Sequence, residues 1–289
     1  NPQKDLLPLY GTAGTKEPFG KLIAEAAGTS EENILGHDLF LYNRVQGTVW
    51  GAEREFVSAG RLDDLQCAFA SLEGFLSGGK KESIAVHCVL DNEEVFTGSI
   101  RTDAVLDSRK VQQSNQTEIH CVLDNEEVGS GTRQGAASAF LKDTLLRINS
   151  GLGRTYEEYL MCLADSFMIS ADNAHALHPN YTDQSDPVNH PVLNGGIVIK
   201  YNANQKYCTD AVSAAVFKEI CARAEVPYQT FVNRSDMAGG STLGNISNTQ
   251  VPVSTVDIGL PQLAMHSPYE TAGVMDTYSL VKAAELFFA

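Results

Sequence analysis

The chain has 289 residues, 43% of them hydrophobic, which is enough for one large α/β domain and an appendage. Acidic residues outnumber basic ones 36 to 21, for a formal net charge of -15, and no basic stripe or Lys/Arg-rich helix occurs. That balance excludes nucleic acid and anionic membrane as expected partners. No apolar run approaches the roughly 18 residues of a membrane span, the first residues lack signal-peptide form, and the 6 cysteines contain no C-x-x-C pair. They read as the reduced, buried thiols of a soluble cytoplasmic protein.

Residues 1–52 differ in character from the rest of the chain. Pro18 and Phe19, then Leu22, Ile23 and Ala26, predict a helix ending near Gly28; a capping signal starts at Ser30, and Leu39, Leu41, Asn43 and Val45 alternate. A helix and a few strands cannot bury a core alone at this size. Residues 1–52 are therefore expected to be the end of an incomplete domain or a packed extension, and 53–289 the main domain.

The main domain opens with a strand, Glu55 to Gly60, that ends at Arg61-Leu62-Asp63-Asp64. Leu62, Leu65, Phe69, Leu72 and Leu76 then give a helix with acidic residues in its first turn. Helix capping and dipole compensation explain Asp63 and Asp64 unless other residues converge on them. A strand comes next, over Ile84 to Leu90.

HCVLDNEEV occurs at His87–Val95 and again at His120–Val128, an offset of 120 - 87 = 33 residues. Solenoid repeats recur more than twice and diverge together, so a local tandem duplication, or an error in the sequence, accounts for the pair better. Only one copy can occupy a single site. In the second copy an apolar run ends in Asp124, Glu126 and Glu127, breaks at Gly129-Ser130-Gly131, and leads into a predicted helix over Gln134–Ile148. In extended chain the two glutamates point to opposite sides. One can then bind a metal while the other faces a water; a solvated acidic turn is the bland alternative. The first copy runs into the polar stretch Arg101 to Glu118, expected as a surface loop. Its spacing from Asp63 is nonetheless the shorter, so Glu93 and Glu94 stand as the fallback pair.

Strands are predicted at 165–171, ending at Asp172, and at 196–201, containing Lys200. A helix is expected over Asp210–Val226, then a short strand near Phe231, a Gly-rich turn at Asp236–Gly244 and a strand at Val253–Ile258. A loop with Met265-His266-Ser267 precedes the last helix, Thr277–Phe288. Strands alternating with helices predict a sheet covered on both faces. Asp63, Glu127, Asp172 and His266 each come after a strand and can converge at one sheet edge. Mixed carboxylate and imidazole ligands suit zinc, cobalt or manganese, and a two-metal site needs one carboxylate to bridge ions roughly 3.5 to 4 Å apart.

RLDDLQ at 61–66, DNEEVGS at 124–130, SFMISADNAHALHPNY at 166–181 and PQLAMHS at 261–267 resemble the M18 family of metallo-aminopeptidases along essentially the whole chain. The resemblance implies a three-layer α/β/α sandwich around a mixed, mostly parallel sheet. It makes residues 1–52 the tail of an inserted regulatory and dimerisation domain and 53–289 the catalytic domain. It further implies two zinc ions, peptide substrates with acidic first residues, and a homo-oligomer, a dodecamer built from dimers. By the same resemblance Asp63 bridges the metals, Glu127, Asp172 and His266 are further ligands, and Glu126 is the general base. Lys200, Tyr207, Asp236 and Gly240 would line the substrate pocket, with His175 and His178 supporting the ligands or contacting other subunits.

The family's usual H-x-D does not occur in this chain. The chain is therefore expected to be a C-terminal portion that binds one ion better than the other. The competing reading is a catalytically incomplete, peptidase-like assembly or cargo-binding subunit.

Overall fold

The computed structural model describes every residue except 6, 13, 16, 17, 79–83, 90–92, 102–115, 125–128, 134 and 238. Two compact units divide the chain after Tyr42. The first holds α1 (Pro2–Asp5) and α2 (Phe19–Ala26), with the rings of Tyr10 and Phe19 in edge contact at 5.0 Å. Among its described residues only Ala24 is buried, as expected of a segment too short to enclose a core. The alternating residues Leu39 to Val45 form no strand, and Leu41 is exposed. Alternation stabilises a strand only where a neighbour pairs with it.

In the second unit, β1 (Thr48–Trp50) and β2 (Phe56–Ala59) lead into α3 (Leu62–Gly78). β3 (Ile84–Val89), β4 (Glu93–Arg101) and β5 (Gln116–Asp124) precede α4 (Phe140–Gly151) and α5 (Tyr156–Ala164). Then come β6 (Phe167–Ala171), β7 (Ala174–His175), β8 (Ile197–Tyr201), α6 (Ala211–Arg223), β9 (Tyr228–Val232) and α7 (Leu243–Ser247). β10 (Ser254–Gly259), β11 (Pro261–Leu263), β12 (Glu270–Gly273) and α8 (Val274–Phe287) are the last elements.

The main sheet runs β3-β5-β4-β6-β10-β8-β9, and a smaller one runs β1-β2-β12-β11-β7. Along β5 and β6 the side chains sort by parity. Val122, Ile169 and Ala171 face a core made with Cys67 and Ala70 of α3, Phe217 of α6 and Leu280 of α8. Ile119, Cys121, Leu123 and Met168 face the other core, made with Leu141 of α4, Leu163 of α5 and Leu243 of α7. Helices thus cover both faces, because the strands are apolar on both. Phe217 is fully buried, and its truncation to alanine would cost about 3 to 5 kcal/mol.

The expected excess of parallel pairs is not found. β3/β5, β6/β10 and β8/β9 are parallel, whereas β5/β4, β4/β6 and β10/β8 are antiparallel. The antiparallel β4 is not among the strands expected from sequence. Val95, Phe96, Thr97 and Ile100 are strand-forming residues, and the segment lies between β5 and β6. The two copies of the repeat meet side by side: His87, Cys88 and Val89 of β3 register with His120, Cys121 and Val122 of β5.

Candidate metal centre and its cavity

Strand ends and one helix start deliver the predicted ligands. Asp63 and Asp64 stand at the first turn of α3, where both are non-helical, with Asp63 at φ -85, ψ 112. Asp172 comes directly after β6, where its backbone N–H donates to Ile258 O at 3.1 Å. A Cβ on Gly259 would run into the carbonyl oxygen of Asp172, so the end of β10 requires glycine for this close approach. His266 lies beyond β11 in the left-handed region, φ 64.

Carboxylate oxygens of Asp63, Asp64 and Asp172 lie within 4.8 Å of one another. His266 Nε2 is 3.1 Å from Asp63 Oδ2, and Lys200 Nζ is 2.8 Å from Asp172 Oδ2. Burial, with Asp172 and Asp63 alongside, pushes the Asp64 carboxyl well above the usual carboxylate range. Burial opposes the charge of Lys200, but Asp172, Tyr207 and Asp257 outweigh it and hold the ammonium above the ordinary lysine range. The Cys67 thiol, raised by burial and by Asp64, donates to Asn173 Oδ1 at 3.2 Å.

Such a donor set fits a divalent zinc ion. Both oxygens of Asp64 are buried, with the Cys67 thiol beside them, and carboxylates gathered this closely are compensated by protonation or by a cation. Oxygen and imidazole donors are those zinc accepts. Asp63, Asp172 and His266 would hold it, with Asp64 beside them. Asp64 as a member of the cluster was missed from sequence; its adjacency to Asp63 was the available signal.

Asp63, Asp172, Lys200, Tyr207, Gly240, His175 and His266 all line one cavity of ≈ 220 Å³. Asp236 and His178 do not line it. Asp236 is exposed and pairs with Arg234 Nε at 2.7 Å, while His178 lines a neighbouring cavity. Glu126 and Glu127 lie outside the described residues. On the fallback side, Glu93 and Glu94 begin β4 opposite Asp124 and Leu123, and Val95 registers with Ala171, immediately before Asp172.

Three supporting residues escaped the sequence reading. Glu270, 2% exposed, accepts the Asp63 N–H at 3.0 Å and the His266 N–H at 2.7 Å. Asn173 Nδ2 donates to Leu62 O at 2.9 Å and to Gln262 Oε1 at 2.5 Å, which ties α3, the β6 loop and β11 together. Asp257, fully buried in β10, accepts from Thr242 Oγ1 at 2.9 Å and from the Cys208 N–H, holding two walls of the cavity. Burial raises its pKa.

The chain matches the family described as aminopeptidase I zinc metalloprotease (M18) over residues 12–109 and 96–288, so that each match contains one copy of the repeat. It is 40% identical over 292 residues to a probable M18 family aminopeptidase 2 of Clostridium acetobutylicum, covering 100% of this chain and 60% of that protein. A relative of the same description in Stutzerimonas stutzeri is 35% identical over 295 residues, with the same coverage of both chains. The chain thus spans about 60% of the length of these relatives. Among solved structures, the mApe1 dodecamer of S. cerevisiae aligns with a TM-score of 0.70 at 27% identity, over 93% of this chain and 54% of that one. The M18 aminopeptidase of Thermotoga maritima aligns with a TM-score of 0.73 at 22% identity, over 93% and 54%, and shares the fold. The chain belongs to the M18 family of zinc metallo-aminopeptidases.

Proposed function

We propose that this chain is the catalytic portion of a zinc aminopeptidase that removes acidic residues from peptide amino termini. The observation that carries the reading is the cluster itself. Carboxylates of Asp63 and Asp172 and the imidazole of His266, with the buried Asp64 behind them, gather at the wall of a cavity that also holds a buried cation, Lys200. Zinc, when bound, supplies Lewis acidity to the scissile carbonyl and to a water. Two ions are expected at the site, with Glu127 as a further ligand.

The chain's own residues supply the rest. The carboxylates attract the substrate's free ammonium group, which favours exopeptidase action. Glu126 takes a proton from the attacking water and passes it to the leaving amine. Lys200, against the Tyr207 ring at 5.7 Å and paired with Asp172 at 2.8 Å, would draw an acidic first side chain to this wall when a bound metal takes over Asp172. Gly240 lines the same cavity.

By analogy with the solved mApe1 dodecamer, the protein assembles as a homo-oligomer, a dodecamer built from dimers, with residues 1–52 as part of the dimerisation region. Buried thiols at Cys67, Cys162 and Cys221 suit a cytoplasmic protein. Zinc analysis together with hydrolysis of aspartyl, glutamyl, leucyl and alanyl p-nitroanilides tests the reading. Zinc uptake with fastest aspartyl or glutamyl turnover supports it. Absence of both zinc uptake and turnover would favour the assembly or cargo-binding subunit.

A further inference from the structure

We propose that the ≈ 310 Å³ cavity beside the candidate metal centre binds the second residue of the peptide, and that it selects an uncharged apolar or aromatic side chain. This rests on the aminopeptidase reading and adds to it the residue on the far side of the cut bond.

The two cavities adjoin. The larger shares His175, Phe231 and Asn233 with the one that holds Asp63, Asp172 and Lys200, so each begins where the other ends. Both are lined at the end of β9, and the larger also at the end of β11. A peptide whose ammonium group sits at the carboxylates has its next residue only about 3.3 Å further along in extended chain. With the first side chain directed at Lys200, the second falls at the shared wall.

The chemistry of the lining sets the preference. Phe231, Met237 and Leu263 give it apolar surface, and the rings of His178 and Tyr181, 5.0 Å apart, form an aromatic wall. Arg234, the one arginine or lysine among the described lining residues, is held by both oxygens of Asp236, at 2.7 and 3.0 Å, so an acidic second residue would lose water there without gaining an ion pair. Asp186 accepts the Asn189 N–H at 2.7 Å and the Val188 N–H at 3.0 Å through a single oxygen, and a basic second residue would compete with those backbone donors. An apolar or aromatic one would gain burial and ring contact.

The test compares Asp-Gly, Asp-Leu, Asp-Phe, Asp-Lys and Asp-Glu peptides of equal length, by kcat/KM. In parallel it measures equilibrium binding of the reduced-bond analogues of Asp-Phe and Asp-Gly to the same protein. The expected result is a preference for leucine and phenylalanine over glycine of roughly 10- to 100-fold, with lysine and glutamate near glycine. The Phe analogue should bind more tightly than the Gly analogue. Tyr181→Ala and Met237→Ala should each pull the Phe-to-Gly ratio towards one, chiefly through KM. Equal hydrolysis of all five peptides, or a ratio indifferent to both substitutions, would overturn the subsite and leave the aminopeptidase reading standing. Failure to hydrolyse any peptide overturns the aminopeptidase reading, and if the analogues also bind alike or not at all, the subsite goes with it.

Discussion

Nε2 of His266 lies 3.1 Å from Oδ2 of Asp63, and one carboxylate, that of Glu270, fixes the backbone of both. The start of α3 and the loop after β11, distant in the chain, are thereby set at one spacing. Preorganisation of this kind raises affinity by reducing what must be ordered on binding.

The first prediction is that Glu270→Gln weakens zinc retention by about 10- to 100-fold, the usual scale for losing a residue that orients metal ligands. One of the two acceptor oxygens becomes an amide that cannot accept. Competition against a chelator reads the affinity, and an unchanged circular dichroism spectrum separates it from unfolding. Retention equal to the parent protein would remove Glu270 from this role.

The second concerns Lys200, 3% exposed and paired with Asp172. Lys200→Met leaves Asp172 beside Asp63 and Asp64 without its buried counter-charge. In zinc-free protein the loss should be on the order of 3 kcal/mol. Added zinc should recover part of it, because a bound cation takes over the compensation and stabilises the folded state by mass action. Urea unfolding with and without zinc measures both. The preference for acidic first residues should fall with the same substitution.

Much of this site was legible because strand ends announce themselves. Asp63, Asp172 and His266 each come after a short apolar run, and the structure places all three on one cavity. Glu270 was not legible. In sequence it is one acid in a polar loop, and its place depends on the β12 to β2 register that sets it opposite Ala59. Asn173 and Asp257 are similar, since their worth lies in partners far along the chain. Helix α5 was a different kind of omission: Thr155 and Glu158 form a capping box that the T-x-x-E spacing advertises. β4 was missed because its apolar residues continue the repeat without a turn signal of the usual kind.

The third prediction uses Asp276, fully buried at the start of α8, where it accepts the Asn194 N–H at 2.7 Å and the Gly196 N–H at 2.8 Å. Burial outweighs these two donors and raises its pKa from 3.8 to about 6. Between those values the folded state holds more protons than the unfolded one. Its contribution is fully present below about pH 4 and is lost as pH rises to about 6, with a span of up to roughly 3 kcal/mol. Unfolding free energies at pH 4.5 and 6.5 should therefore show Asp276→Asn losing this part of the slope. Identical slopes in the two proteins would place the Asp276 pKa at its ordinary value.

The last prediction separates the two copies of HCVLDNEEV. Glu126→Gln should keep zinc content and fold while lowering turnover at least about 10²-fold, the scale of a lost general base. Glu93→Gln with Glu94→Gln should not. Downstream sequence motivates the choice, since the second copy alone continues into Gly129-Ser130-Gly131 and the helix Phe140–Gly151. The sheet supplies the counter-argument: β4, which begins at Glu93, is the strand beside β6, and Val95 registers with Ala171 next to Asp172. Loss of turnover in the Glu93 and Glu94 variant, with turnover kept in Glu126→Gln, would transfer the site to the first copy.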